Sequence, residues 1–584
     1  MFVSVQRFRF PVHLYVSTDQ SSLMKRFASC LLLLLVVVQR PVQAQLTPRQ
    51  IDPVITRIMD SANVPGLSIA IIRNGKLAYS KGYGRTKADS TQPVTSTTIF
   101  DAASLSKPVF AYAVLQLVEE GRIELDKPLY EYMPYPDVAA DERYKRITAR
   151  MVLSHRSGFP NWRRNRRSKE LTISFNPGER FGYSGEGFVY LQKVVETITG
   201  KPINELITER VFKPLQMTSS SYVWQPAFDA NFAQPHSNFG QPETKNKPNQ
   251  ANVAYSLQTT ADDYAKFILA VLNGKGLKTT TIDQMLSPQS RLPKQYGGTD
   301  TLSAALRWGL GFGLEQTPAG DYFWHWGDNG TFKCYVTASR TDKNAVVYFA
   351  NGYNGLGLIS ALVNRFVGGE HPAVAFLGYN AYDDKHSLFA RYVLDKGVPA
   401  AIKPYLDANG TSTLAEDKLN WVGDQLVSLG RMTDAREVFR YNLAAYPKSA
   451  NALASYAYAS LYAGNPSEAV TYFRKALEQK PDNDRLKKLV AQLTAAPAGQ
   501  GGTRLVLKGY PAAKLVTVAG SFNDWDDLHT FLIRKGDVWE CYLDVKPGSY
   551  TYKFVVDGKW ITDPANSTTQ QDESGNVNSL LTIK

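Results

Sequence analysis

Three cysteines in 584 residues are too few for a disulfide scaffold. Cys30 lies near the N-terminus, and Cys334 and Cys541 stand far apart, so two free thiols are expected. Long apolar runs are also missing. Leu31–Val38 is well short of the ~20 residues that a membrane-spanning helix needs. It follows Met24-Lys25-Arg26 and precedes the small-residue site Val42-Gln43-Ala44. That order predicts a secretory signal over residues 1–44, with 1–23 an upstream extension; a retained membrane anchor is the alternative. No Lys/Arg-rich helix or aromatic RNA-binding motif occurs. The formal charge of +13, partly carried by Arg7, Arg9, Lys25, Arg26 and Arg40, therefore does not point to nucleic acid.

What is present describes a globular chain, 43% hydrophobic and 12% aromatic, long enough for three or four domains. The stretch Phe100 to Glu120 stands out. Ser104 and Lys107 sit where a polar turn gives way to an apolar helix that ends at Gly121. Three residues apart, they share a helix face, so the amine can reach the hydroxyl. A helix N-terminus favours developing negative charge, and a neighbouring lysine can make a serine nucleophilic. The spacing alone is weak, since Ser22 and Lys25 repeat it inside the signal segment.

Other segments add to it. Asn74-Gly75 between two alternating apolar runs predicts a hairpin. Ile147 to Phe159 reads as a short helix and a glycine turn, followed by a basic loop from Asn161 to Lys169. That loop either steers anionic substrates or is merely solvated. Tyr183 lies in a glycine-rich turn before another helix. Thr260-Ala-Asp-Asp263 predicts a capping box. Strands are expected from Trp308 onward, including Asp321–Trp326 with His325, Phe332–Ala338 and Ala345–Asn351. A single strand histidine is ordinarily structural.

In one order the chain carries SLSK at 104–107, LSHRSG at 153–158, NPGERFGYSGEG at 176–187, PLQMTSS at 214–220, TTADDYAKF at 259–267 and HWG at 325–327. This series resembles the serine β-lactamase and D,D-peptidase superfamily, in its class C-like branch, over roughly residues 48–370. The resemblance implies an α+β fold with a five-stranded antiparallel sheet, flanking helices and a helical lobe. It places the nucleophile at Ser104, its lysine at Lys107 and the motif tyrosine at Tyr183. His325 would orient substrate or tune the proton network, and the N–H groups of Ser104 and Asp328 would form the oxyanion hole. No metal or cofactor is implied. Two positions depart from the family: Gly185 replaces the amide-holding asparagine, and Trp326 replaces a small hydroxyl residue that helps bind a substrate carboxylate. Both argue against an efficient β-lactamase. The reading is a secreted or periplasmic serine hydrolase forming an acyl-enzyme on a D-amino-acid peptide, as in cell-wall turnover, or on an ester. A carboxylesterase and a noncatalytic glycan or protein binder are the alternatives.

Beyond the hydrolase region, 45–380, a 34-residue period links Gly430, Ala435, Phe439 and Pro447 to Gly464, Ala469, Phe473 and Pro481. It resembles tetratricopeptide repeats, expected over 385–494, with a degenerate first repeat whose turn holds Gly397. They either bind a protein partner or act as a spacer. A flexible linker at 495–502 precedes strands read at LVTVAG, SFNDWD, VWECYLDV, YTYKFVVDG, KWITDP and NSLLTI. Residues 503–584 resemble the glycogen-binding carbohydrate module of AMP-activated kinase, an all-β, immunoglobulin-like sandwich. The resemblance puts sugar-stacking rings at Trp525 and Trp560 and polar contacts at Lys553 and Asn578, for an α-glucan. The other reading makes those tryptophans core or interdomain contacts.

Overall fold

The computed structural model describes residues 47–163, 170–237, 240–293, 304–402, 415–428, 431–463, 465–494, 502–513, 515–527, 530–572 and 576–583. The signal segment, most of the basic loop, most of the linker, and Gly430 and Gly464 lie outside them. The chain divides at Pro53 into two units. Of the first, residues 47–53 are described, and they open helix α1 (Pro48–Ala62).

The second unit begins with an antiparallel hairpin, β1 (Gly66–Arg73) and β2 (Lys76–Gly84). Asn74 and Gly75 both take positive φ, 49° and 71°, as a two-residue turn of this hand requires. β3 (Phe100–Asp101) leads into α2 (Ser106–Glu119). This helix is buried on nearly every side, which suits a helix without a polar face. α3 (Gly185–Thr199) starts at Ser184, whose hydroxyl accepts from Gly187 N–H. β4 (Gln258–Thr259) pairs with β3, and α4 (Ala261–Asn273) follows. Thr260 caps α4, but Asp263 accepts from Ser219 and Ser220 instead of returning to the cap, so only half of the capping box forms.

Then come β5 (Ser290–Arg291), β6 (Leu306–Trp308), β7 (Gly313–Thr317), β8 (Gly320–Asp328), β9 (Lys333–Ser339) and β10 (Ala345–Ala350). The sheet runs β2-β1-β10-β9-β8-β7-β6-β5. It has eight strands, not five, because the chain turns back between Trp308 and Gly313 to pair β6 with β7, and β5 extends the edge. α4 packs on β1 and β10, and one core joins sheet and helices. α5 (Ile359–Phe366) lies against β10.

The repeat region contains α6 (Lys385–Lys396), α7 (Glu416–Ser428), α8 (Met432–Ala445), α9 (Ala450–Tyr462), α10 (Pro466–Gln479) and α11 (Asp484–Thr494). Successive helices from α7 onward pack on one another. Ala435, Phe439, Ala469 and Phe473 are all buried between them, and Gly397 turns the chain at φ 78°. The region touches both neighbours: Tyr353 lies against Trp421, and Arg485 pairs with Asp526 at 2.8 Å.

The C-terminal β domain has β11 (Thr503–Lys508), β12 (Val516–Gly520), β13 (Ile533–Lys535), β14 (Val538–Leu543), β15 (Gly548–Val556), β16 (Lys559–Ile561), β17 (Thr569–Gln571) and β18 (Val577–Ile583). A three-stranded sheet, β11-β14-β13, and a five-stranded one share a single apolar core. SFNDWD is a turn rather than a strand. Asp524 and Trp525 are both left-handed, at φ 55° and 59°, and the Asn523 side chain ties the turn to Gly520, Val518 and Asp526. The two described cysteines, Cys334 and Cys541, are free and buried.

Candidate active site and aromatic surface

Ser104 sits in a single 3-10 turn, Ala103–Leu105, between β3 and α2. Ala103 is left-handed at φ 45°, a conformation its Cβ disfavours. Asp101 holds it there: one carboxylate oxygen accepts from Ala103 N–H at 2.8 Å and from the Asn329 amide at 3.0 Å. Strain of this kind persists only where surroundings enforce it.

One helical turn on, Lys107 Nζ donates to Ser104 Oγ at 3.0 Å and to the Ala254 carbonyl at 2.8 Å. Burial pulls its pKa down to about 7. No neighbouring cation is needed for the shift. Tyr183 lies beneath the amine, ring centroid 4.8 Å from Nζ. Burial pushes its phenol up, and the Ser104 hydroxyl only partly counters this. At neutral pH Tyr183 is therefore a phenol, and the group able to accept the Ser104 proton is Lys107.

His325 on β8 is buried, with its ring 6.2 Å from that of Tyr183. Its Nδ1–H donates to the Trp326 carbonyl at 2.7 Å, which leaves Nε2 as an acceptor without a hydrogen bond. Burial, and then Lys107, push its pKa down to about 3. It is neutral and suited to accepting, as in orienting a substrate N–H or O–H.

β7 pairs with β8 only as far as Trp324, so His325 to Asp328 have an open edge. The turn that carries Ser104 packs on the face of the sheet beside it, over β8 and β9. A Cβ on Gly327 would meet the Ala102 carbonyl at 2.6 Å and Ala103 Cβ at 3.1 Å. Asn329 N–H donates to Phe332 O across the β8–β9 pair, and strand alternation then turns the Asp328 N–H toward the open edge. A second amide beside that of Ser104 is what an oxyanion hole needs. The Asp328 carboxylate is tied to Lys333 Nζ at 2.6 Å, Tyr379 hydroxyl at 2.7 Å and Gly330 N–H at 2.8 Å.

His155, from the LSHRSG segment, has no assigned part in the sequence reading. Its ring stacks 4.2 Å from Tyr183, with Trp308 5.0 Å away on another side. Its Nδ1 accepts from Ser184 N–H at 3.0 Å, and burial, Lys107 and His325 hold it neutral. His155 thus fixes Tyr183. A ring packed against a loop 28 residues away has no local sequence signal; Asp101 acts partly locally, on Ala103 N–H two residues on, and partly on the distant Asn329. Together the groups can do acyl transfer: a hydroxyl, a buried amine to take its proton, and two amides for the developing oxyanion. Among the described residues no cluster of His, Cys, Asp and Glu could hold a metal ion.

The model of the family described as Beta-lactamase matches residues 51–359, more than half of the chain. The chain belongs to the beta-lactamase family. Models for a Tetratricopeptide repeat at 426–493 and for the Glycogen recognition site of AMP-activated protein kinase at 505–584 match in the order expected. Among curated relatives, Protein flp of Staphylococcus aureus (strain N315) is 29% identical over 189 residues, 30% of this chain and 38% of that protein. Esterase EstB of Burkholderia gladioli is 28% identical over 221 residues, 33% and 55% respectively. The chain thus spans well under two thirds of either relative. Solved structures that align include the octameric penicillin-binding protein homologue from Pyrococcus abyssi (TM-score 0.49, 22% identity, 60% of this chain and 82% of that one) and D-alanine carboxypeptidase AmpC from Burkholderia cenocepacia (TM-score 0.44, 21% identity, 52% and 93%).

In the C-terminal domain Trp525 and Trp560 stack at 6.2 Å, 25° apart, and Trp560 is 41% exposed. Trp560 pairs with Val555, two residues from Lys553, so Lys553 and Trp560 share one face of the sheet. Asn578 does not reach outward. It is buried and donates to Asp572 and to the Asn576 carbonyl, both at 3.3 Å. It braces the β17–β18 connection because those two acceptors capture its amide.

Proposed function

We propose that this protein is a serine hydrolase that forms an acyl-enzyme at Ser104, acting on an ester or on a D-amino-acid peptide such as those of cell-wall turnover. The observation that carries the reading is the 3.0 Å contact between Ser104 Oγ and a buried Lys107 amine whose pKa falls to about 7. Lys107 takes the hydroxyl proton as Ser104 attacks the acyl carbon. Ser104 and Asp328 amides stabilise the oxyanion, and Lys107 with Tyr183 returns the proton to the leaving group. Water then releases the acyl group by the reverse sequence. The ester reading is favoured by Gly185 and Trp326, which remove the asparagine and the hydroxyl that serve peptide recognition in the family. The name of Esterase EstB supports the same reading. A fluorophosphonate should label wild-type protein and not Ser104→Ala; no labelling of wild type would refute the hydrolase reading. Hydrolysis of p-nitrophenyl acetate without cleavage of D-Ala-D-Ala peptides would select the ester.

The pH dependence follows from Lys107. Its free amine is the active form, so kcat/KM for an ester should climb as pH rises through about 7. His155 and His325 are both pushed down, so no second ionisation near 6.5 should appear. A profile that falls across pH 6–8 would contradict this assignment.

The working location would be the periplasm or the exterior, reached through the signal at 1–44; mature protein recovered outside the cytoplasm should begin near residue 45. The Trp525–Trp560 face is proposed to bind an α-glucan, because flat rings match the apolar C–H faces of sugars. Starch- or glycogen-resin retention should drop ~5- to 30-fold in Trp560→Ala, since one lost stack of about 1–2 kcal/mol has that size. Equal elution of wild type and variant would reject this role. The repeats between the two domains are a proposed seat for a protein partner.

A further inference from the structure

Gly185 holds the place of the family's asparagine, and the space beside it is filled. A Cβ on Gly185 would lie 2.6 Å and 2.8 Å from Cη2 and Cζ2 of Trp162, and 2.9 Å from the Asn161 carbonyl. No side chain fits at 185 while Trp162 stays. The indole is also held in place. Asn161 O accepts from Gly185 N–H at 3.0 Å and Glu186 N–H at 3.1 Å, and Asn161 Oδ1 accepts from Gly185 N–H at 3.0 Å. On the other side, the Arg163 guanidinium grips Glu186 at 2.7 Å and Asp137 at 2.9 Å, both largely buried pairs. Trp162 therefore stands between two residues zipped to the start of α3, two positions beyond Tyr183. Its ring meets Tyr255 edge to face at 5.6 Å. Tyr255 adjoins Ala254, whose carbonyl holds Lys107. Across the cleft, Trp326 lies 4.9 Å from Tyr183. Ser104, Trp162, Tyr183, Tyr255 and Trp326 are all half-buried, and Tyr183 links Trp326 to the Lys107 amine that holds Ser104.

From this arrangement we propose that Trp162 and Tyr255 form a rigid aromatic wall of the acyl pocket, so that the enzyme selects esters with a flat, apolar acyl group. The proposal rests on the hydrolase reading above and names its substrate class. Carboxamide donors and acceptors that would hold a peptide are replaced by ring faces and edges, which reward apolar area and offset or edge-on aromatic contact. A preorganised wall loses little entropy on binding.

The test compares p-nitrophenyl phenylacetate with p-nitrophenyl acetate, which share a leaving group and differ only in the acyl part. Wild type should favour phenylacetate in kcat/KM by ~10-fold or more, the range one apolar subsite supplies. Trp162→Ala should cut that ratio at least ~5-fold, and Trp162→Phe should retain most of it. An unchanged ratio in Trp162→Ala, with both esters slowed alike, would make Trp162 a structural prop and overturn the proposal. So would a wild-type preference for acetate. Fluorophosphonate labelling of Ser104 is read in parallel. Labelling without an aryl preference rejects the wall alone, whereas absence of labelling rejects the hydrolase reading beneath it.

Discussion

Lys107→Met is expected to abolish acylation and yet raise the melting temperature. Loss of a positioned proton acceptor costs about 10²- to 10⁴-fold in rate. Stability moves the other way. A pKa drawn down from 10.5 to about 7 means that the fold disfavours the ammonium. At about 1.4 kcal/mol per pKa unit, that is about 4–5 kcal/mol at or below neutral pH. Methionine has similar length and no charge to bury. Its cost is the Ala254 carbonyl left without its donor, about 1–3 kcal/mol. The balance favours the variant by about 1–4 kcal/mol, or several degrees in Tm. The sign has a pH signature. The folded pKa lies below the unfolded one, so wild type is penalised fully below pH 7 and gains stability as pH rises from about 7 toward 10.5. The advantage of Lys107→Met should therefore shrink over that interval. Fluorophosphonate labelling rates and thermal melts at pH 6.5 and 9.5 check both parts. A variant less stable than wild type at pH 6.5 would show that Lys107 is not held against its charge.

Gly327→Ala should lower the acylation rate by about 10²-fold and the stability by about 1–3 kcal/mol. The added Cβ would push into the Ala102 carbonyl, Ala103 Cβ and Cys334 Sγ at once. Two of those neighbours belong to the turn that carries Ser104, and the third is buried in β9, so none can swing away. β8 must retreat from the turn, taking the Asp328 amide with it. Overpacking of this kind costs about 1–3 kcal/mol, and an ångström of misplacement near reacting groups costs about 10² in rate. Cys334→Ala in the same chain should recover part of the stability and little of the rate, since the Ala102 contact remains. Labelling kinetics and a thermal melt read the two effects. A variant that labels at the wild-type rate would mean that the strand and the nucleophile turn are not rigidly packed.

Much of this site was readable from local spacing. Ser104 and Lys107 share a helix face, Asn74-Gly75 specifies its hairpin, and His325 falls in the aromatic run Tyr322–Trp326 that forms a strand. These are short-range properties, fixed by one element at a time. The sheet was undercounted because β5, β6 and β7 are only two, three and five residues long, and their pairing depends on tertiary closure. SFNDWD looked extended because Phe522 and Trp525 follow directly on a strand, whereas consecutive left-handed residues and Asn523 make it a turn. His155, Asp101 and Trp162 had no signal of their own. Each acts on residues distant in sequence or acts through a backbone group, and spacing cannot show that. The role expected for Asn578 changed for the same reason: a nearby carboxylate and carbonyl capture its amide.

The ties on Asp328 have a consequence for the electrostatics of turnover. A carboxylate beside a forming oxyanion would repel it, and in a low-dielectric cleft that repulsion would cancel much of what a donated hydrogen bond supplies. Here one residue has opposite polarity on its two sides. Its amide dipole faces the open strand edge, while its negative charge is neutralised by the buried Lys333, with Tyr379 and Gly330 sharing it. In the proposed oxyanion hole, Lys333 and Tyr379 are thus what would let an acidic residue serve an anionic transition state.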